Sequence, residues 1–484
     1  MNTEIDMTKE RVLLTFAGNT DPTRGQHDGP ILHICRYYRP QKIYLILTKE
    51  MQERDEKKNI YQESILKNIE NYDPELIRVY TGIENAHKFD KYFSYVYSTF
   101  EEIIGGIVEG TQILVNVTSG TPQMTANLIS YVVDARNGNI IPIQVSTPEN
   151  KSNFPPPFDY DPEEEAKKNK DKKEETRTNR LMRPDLTRYS RVSLKNQIER
   201  LLDQYEYATP LELLGEKDIY SKSSELKSLL RFGLDRKNLR GAEVNKTLDR
   251  ISDGKYEDLY YYPIDKKARI IPLWYELVDY FALALAKLNS DDISGYILML
   301  EPIMVNLYLS ILKDLDAFKI AFYEIFRDVN KSSQNKALDP RYKVKEEFRV
   351  SYSQLFGQVE GSMKNKGISS LDTNRDISDI LLKSLIECMI KTHSKANGIG
   401  SKDFSKLTQA LEGVKEPRNQ LAHSLKTYGK KDIGAKVKLN PKVINEEIIN
   451  FLTKYYTPLG FKPSMLDIYN NINKAIKQIL EEEK

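Results

Sequence analysis

At 484 residues, 40% hydrophobic and 29% charged, the chain is long enough for roughly two to three domains, each with its own core. A formal net charge of only +2 gives no global field for gripping duplex nucleic acid, so any such contact has to be a local patch. Two distant cysteines, Cys35 and Cys388, exclude a disulfide framework and fit a reducing cytosol.

The N-terminus, MNTEIDMTKERVLL, lacks the charged-then-apolar pattern of a signal segment, and the expected location is cytoplasmic. From there, short apolar runs alternate with amphipathic stretches. RVLLTFA (11–17), KIYLILT (42–48), LIRVY (76–80), QILVNVT (112–118) and NIIPIQV (139–145) read as strands. They are nearly continuous in apolar residues, as a parallel sheet covered on both faces requires. Helical stretches lie between them, near 29–39, 50–70, 86–107 and 122–136. This order predicts a doubly wound, Rossmann-like α/β domain over residues 1–160.

Prolines and dense mixed charge then mark 161–189 as a solvated linker or exposed helix. Beyond 190 helical periodicity takes over, as in ISDILLKSLIECMIKTH with Ile377, Leu381, Leu385 and Met389 every four residues. The expected organisation is an all-α connector over 190–290 and a second all-α domain over 291–484. The most apolar stretch, GYILMLEPIMVNLYLSIL, is expected to break at Glu301, Pro302 and Asn306, so no membrane span is expected.

Ligands of doubly wound sheets bind beyond the carboxyl ends of the strands, where strand order reverses. The first and fourth strands run into GNTDPTRGQHDGP and NVTSGTPQM. Gly18, Gly25 and Gly120 permit close backbone approach, while Asn19, Thr20, Asp21, Asn116, Thr118, Ser119, Thr121 and Gln123 supply short polar groups. Thr121 or Ser119 would cap the next helix, opened by Pro122, and leave an anion site at its N-terminus. G-x-G-x-x-G, G-K-[ST] and G-x-S-x-G are absent, which disfavours dinucleotide redox chemistry, a P-loop NTPase and a serine hydrolase. A phosphate or nucleobase pocket fits; so do plain capped turns closing the βα units.

In EPRNQLAHSL, Arg418 precedes His423 by five residues, which places them about 140° apart around a helix. Arginine's reach, or a second copy of the helix across a two-fold axis, would bring both to one point. The pair suits RNA cleavage. A histidine moves a proton at a ribose 2′-OH or a leaving 5′-oxygen near neutral pH, and an arginine holds the scissile phosphate. Asn419 would position one or the other. The five histidines show no metal-ligand spacing, and no metal is expected. The alternative is an exposed helix with a solvated arginine and a half-buried histidine.

AGNTDP, NVTSGTPQ and the R-x₄-H of Arg418 and His423 together resemble the Csm-type CARF–HEPN ribonucleases of type III CRISPR systems. That resemblance implies a homodimer, with a composite CARF pocket for cyclic oligoadenylate and one metal-independent ribonuclease site at the HEPN dimer axis. It implies cleavage of single-stranded RNA by ribose 2′-OH attack, leaving a 2′,3′-cyclic phosphate, without stable association with the CRISPR effector complex. Gly18, Asn19, Thr20, Asp21, Asn116, Thr118, Ser119, Gly120, Thr121 and Gln123 become the ligand-binding set, and Arg418, Asn419 and His423 the catalytic set. Cyclic hexa-adenylate is favoured over tetra-adenylate, and Thr118 or Thr121 would assist slow cleavage of the activator. A non-catalytic nucleotide sensor controlling a helical interaction domain, or a HEPN toxin not gated by ligand, are the competing expectations.

Overall fold

The computed structural model describes residues 5–85, 87–135, 139–148, 159–215, 220–239, 256, 259, 272–328, 342–368, 377–396, 398–424, 427–433 and 439–482. The chain divides into two compact units, 1–193 and 194–483.

The first unit is built on β1 (Arg11–Phe16), β4 (Lys42–Leu47), β5 (Glu75–Tyr80), β6 (Gln112–Asn116), β7 (Ile140–Val145) and β8 (Leu181–Met182), with a small hairpin of β2 (Thr23–Arg24) and β3 (His27–Asp28) in the first loop. The sheet order is β5-β4-β1-β6-β7-β8; all neighbours are parallel except β8 on β7. Order therefore reverses between β1 and β6, the two most central strands, which are buried throughout. Period-2 alternation sorts β1 onto two cores. Leu13 joins Ile31, Leu32, Tyr61 and Ile65 from α1 (Pro30–Tyr38) and α3 (Ile60–Asn68), which follows α2 (Lys49–Lys58). Leu14 and Phe16 join Val96, Phe100, Met124 and Leu128 from α4 (Phe89–Gly105) and α5 (Pro122–Ala135) on the other face.

The charged stretch after 160 is not a free linker. Asp161 caps α6 (Pro162–Lys168), accepting from Glu163 N and Glu164 N, and the chain then enters the α/β unit. Asn169 Nδ2 donates to Asp28 Oδ1 (2.7 Å) and Asn68 Oδ1 (2.8 Å). Asp171 Oδ2 accepts from Asp28 N (2.9 Å) and Arg180 Nη2 (2.8 Å), and Arg180 N donates to His33 Nε2 (3.0 Å). Composition suggested solvation because most of these side chains are exposed; a few polar ones find buried partners, and β8 follows.

Among the described residues, the second unit is helical apart from one ribbon, β9 (Phe326–Asp328) paired with β10 (Tyr342–Val344). Its helices are α7 (Thr187–Asp203, in which the two units join), α8 (Ala208–Leu214), α9 (Ser223–Lys237), α10 (Leu273–Asn289), α11 (Ile293–Lys313), α12 (Phe322–Ile325), α13 (Glu346–Ser351), α14 (Ser353–Lys364), α15 (Asp379–Thr392), α16 (Ser401–Leu411), α17 (Lys415–His423), α18 (Pro441–Tyr456) and α19 (Ile468–Glu482). Among the described residues, α8 to α19 fall in one compact unit.

The helix α11 runs unbroken through Glu301, Pro302 and Asn306. An interior proline costs a helix about 3 kcal/mol. Here Tyr296, Leu300, Ile303 and Leu307 are buried on both sides of it, and that packing outweighs the local cost. Among the described residues α11 is the one helix long and apolar enough to cross a membrane, and its apolar face forms the centre of the helical core.

Candidate functional site

Two places concentrate the chemistry, one in each unit. In the first, the loops after β1 and β6 touch. A Cβ on Gly18 would lie 2.6 Å from Gly120 N, and Gly120 takes φ +102°, a conformation that favours glycine. The buried Asn116 organises the second loop. Its Nδ2 donates to Thr15 Oγ1 (2.9 Å) and Ser119 Oγ (2.8 Å), and its Oδ1 accepts from Thr118 N (2.9 Å). Thr121, not Ser119, caps α5, accepting from Met124 N at 3.4 Å. Thr118 Oγ1 is fixed by Val145 N (2.8 Å).

Asp21 does the same work in the first loop. Its carboxylate accepts from Gly18 N (3.1 Å) and Ile31 N (3.0 Å), tying the loop to the start of α1. Burial pushes its pKa up to about 6, against the opposing hydrogen bonds from Ile31, Ser119 and Gly18. The ten loop residues thus fall into two sets. Gly18, Asp21, Asn116 and Ser119 are interior and shape the loops; Asn19 is exposed, and Thr20, Thr118, Gly120, Thr121 and Gln123 are half-buried.

Behind the first loop lies a buried ion network that sequence patterns did not reveal. Asp28 receives Arg36 through both oxygens (2.6 and 2.8 Å), Asp171 receives Arg180, and His27 Nδ1 lies 3.2 Å from Asp171. Asp28, His33 and Asp171 lie close enough to chelate a cation, but guanidinium groups already occupy both carboxylates. Burial would raise the Asp28 pKa; hydrogen bonds from Arg36 and His33 outweigh it and hold the carboxyl well below the usual range. Burial depresses the His33 pKa, with Asp28 opposing.

The second place is α17. Val414, before its first turn, and Pro417 within it are buried, and Leu421 is half-buried, a stripe that seats the helix on α11. Arg418 sits at the edge of that stripe, half-buried, while Asn419 and His423 are exposed. Arg418 Nε pairs with Glu301 Oε2 of α11 at 2.6 Å, and its Nη1 donates to Asn419 Oδ1 at 3.2 Å. Beyond the helix, Tyr428 N donates to Ser294 Oγ (3.0 Å) and the Tyr428 hydroxyl bonds Gln420. From sequence Glu301 reads as a helix break and not as a partner of Arg418, although it is the only charge within GYILMLEPIMVNLYLSIL. A lone carboxylate in so apolar a helix signals a partner.

Residues 73–181 match the sequence model of the Cas_Csm6 CARF domain, and residues 272–477 that of the Cas_Csm6 HEPN domain. The chain belongs to the Csm6 CARF–HEPN family. Its CARF match runs through the charged segment to β8, and its HEPN match takes in α10 and α11 together. Among curated relatives, the CRISPR system endoribonuclease Csm6′ of Streptococcus thermophilus is 29% identical over 227 residues, 46% of this chain and 56% of its own. Csm6 of Enterococcus italicus is 29% identical over 231 residues, 46% of this chain and 53% of its own. These matches span about half the length of the relatives. A solved structure of Enterococcus italicus Csm6 bound to cyclic hexa-2′-fluoro-hexa-dAMP shares the fold, with a TM-score of 0.65 at 20% identity, covering 97% of this chain and 100% of that one.

Proposed function

We propose that this protein is a CRISPR-associated endoribonuclease that cuts single-stranded RNA and is switched on by cyclic oligoadenylate in its CARF domain. The observation that carries this is the pairing of an anchored Arg418 with an outward His423 on one short helix of a HEPN-family domain. In the proposed reaction His423 takes the proton of a ribose 2′-OH, whose oxygen attacks the adjacent phosphorus. The P–O5′ bond breaks, the leaving 5′-oxygen takes a proton back from the histidine imidazolium, and a 2′,3′-cyclic phosphate remains. Arg418 compensates the charge that grows on the phosphate oxygens, and Asn419 orients the group. Both roles are filled by side chains, so no metal is required by this scheme.

Helix geometry supports a homodimer, since residues about 140° apart on one helix meet more easily across a two-fold axis. The half-buried Thr20, Thr118, Thr121 and Gln123 are the proposed ligand contacts, with Thr118 or Thr121 aiding slow cleavage of the activator. The ligand in the related Enterococcus italicus structure favours a six-membered ring. The protein would act in the cytoplasm as a free effector.

The test is cleavage of a fluorescent single-stranded RNA in EDTA, with cyclic tetra- or hexa-adenylate added separately, beside His423→Ala. Cleavage that needs one ring and vanishes in the variant is expected. Cleavage without any ring would make it an ungated HEPN ribonuclease; silence with both would make it a ligand-controlled binding protein.

A further inference from the structure

The hairpin of β2 and β3 carries a side chain that neither the fold nor the ribonuclease scheme uses. Arg24 is 7% exposed, and its Nε is buried without a hydrogen-bond partner. Among the described residues it forms no ion pair, because the neighbouring carboxylates are committed elsewhere. Asp21 accepts from two backbone N–H groups, Asp28 is taken by Arg36, and Asp171 by Arg180 and His27. Burial and the charge of Arg180 both disfavour the Arg24 cation, and only Asp21 acts in its favour. A guanidinium keeps its proton even so, and a buried one without a partner is expensive to hold.

Such a cost is sustained most simply where an anion completes the site. Arg24 lies in the loop that leaves β1 at the carboxyl edge of the sheet, three residues after Asp21, whose carboxylate ties that loop to Gly18 beside Gly120. We infer that Arg24 receives a backbone phosphate of the cyclic oligoadenylate, which makes it a further ligand-binding residue of the first loop. The assignment rests on the ligand proposed above. A phosphodiester suits a guanidinium fork through two parallel N–H bonds, whereas adenine offers no charge to neutralise it. In a two-fold dimer two copies of Arg24 would grip two symmetry-related phosphates of one ring.

The experiment is calorimetric titration of the full chain with cyclic tetra- and hexa-adenylate and with linear hexa-adenylate, at several salt concentrations. Wild type, Arg24→Gln and Arg24→Lys are compared, and ligand-free melting is recorded for each. Arg24→Gln should weaken ring binding on the order of 10- to 100-fold and flatten its salt dependence. Its ligand-free melting temperature should hold or rise, since an uncompensated buried charge is gone. Arg24→Lys, which keeps the charge but loses the fork, should fall in between. Wild-type affinity in both variants overturns the inference alone, as does lowered ligand-free stability with unchanged affinity, which marks a structural arginine. Binding of the linear chain as tightly as the ring would show that Arg24 reads phosphate without reading the ring. A wild-type protein that binds neither ring overturns the proposed activator, and this assignment falls with it.

Discussion

Arg418 has five N–H donors to divide. Its Nε faces Glu301 and its Nη1 faces Asn419, which leaves the remaining N–H groups directed by those two anchors. Glu301→Gln keeps the shape of that contact and removes its charge. Both side chains are about a third exposed, so solvent screening limits the pair to about 1 kcal/mol, or roughly a fivefold loss in cleavage rate. Arg418→Ala should cost on the order of 100- to 1000-fold, and adding Glu301→Gln to it should cost nothing more; equal losses in both backgrounds would show that Glu301 acts elsewhere. Asp21 offers a second residue-scale check, in stability against pH. Its folded pKa of about 6 lies above the ordinary 3.8, so the folded state favours the protonated form. That contribution is complete below about pH 4 and is lost as pH rises through 6, on the order of 3 kcal/mol in all. Melting curves of wild type and Asp21→Asn, compared from pH 4 to 7, should diverge in that direction; a constant offset would show that Asp21 titrates normally.

At the scale of elements, the loop hairpin and the charged segment after 160 depend on each other. Asp171 accepts from Asp28 N, Arg180 and His27 while fully buried. Asp171→Ala would take the carboxylate from Arg180, itself only 9% exposed, and leave it only neutral partners such as the Ser146 and Asp28 carbonyls. Loss of one partner from a buried pair costs about 3–5 kcal/mol, so the CARF unit of this variant should melt well below wild type, as thermal denaturation of the full chain can show. This dependence could not be read from the sequence, for a physical reason. Near-continuous apolar runs such as RVLLTF reveal a central strand because every residue reports burial; similar runs marked all five parallel strands, including the edge strand β5, whose residues are only half-buried or exposed. In NKDKKEETRTNR the exposed lysines and glutamates outnumber the buried Asn169, Asp171 and Arg180, and composition averages them away. Pro302 misled in the opposite sense, since a local breaking signal was overridden by packing on both sides. The loop residues were legible as a group from glycine and short polar side chains. Which of them are buried was not, because Asn116 and Thr118 are both short polar side chains until the fold buries one.

At the scale of the whole molecule, the question is whether Arg418 and His423 work within one protomer or across two. The helix separates them by about 140°, and the ion pair with Glu301 holds the arginine toward the α11 side while His423 is exposed at the other end of α17. Reach alone would have to break that ion pair; a two-fold axis would not. In the proposed dimer the arginine of one chain serves with the histidine of the other, and this has a direct consequence for mixtures. Arg418→Ala and His423→Ala protomers should each be nearly silent as homodimers. A mixed dimer keeps one complete pair in trans, formed by the arginine of the His423→Ala chain and the histidine of the Arg418→Ala chain. It keeps no complete pair in cis. After subunit exchange about half of the dimers are mixed by random pairing, so ring-activated cleavage should reappear on mixing and grow with the time allowed for exchange. Mixtures that stay as silent as either variant would place the working pair inside a single chain, and arginine's reach, at the expense of Glu301, would then be the better account of how the two side chains meet.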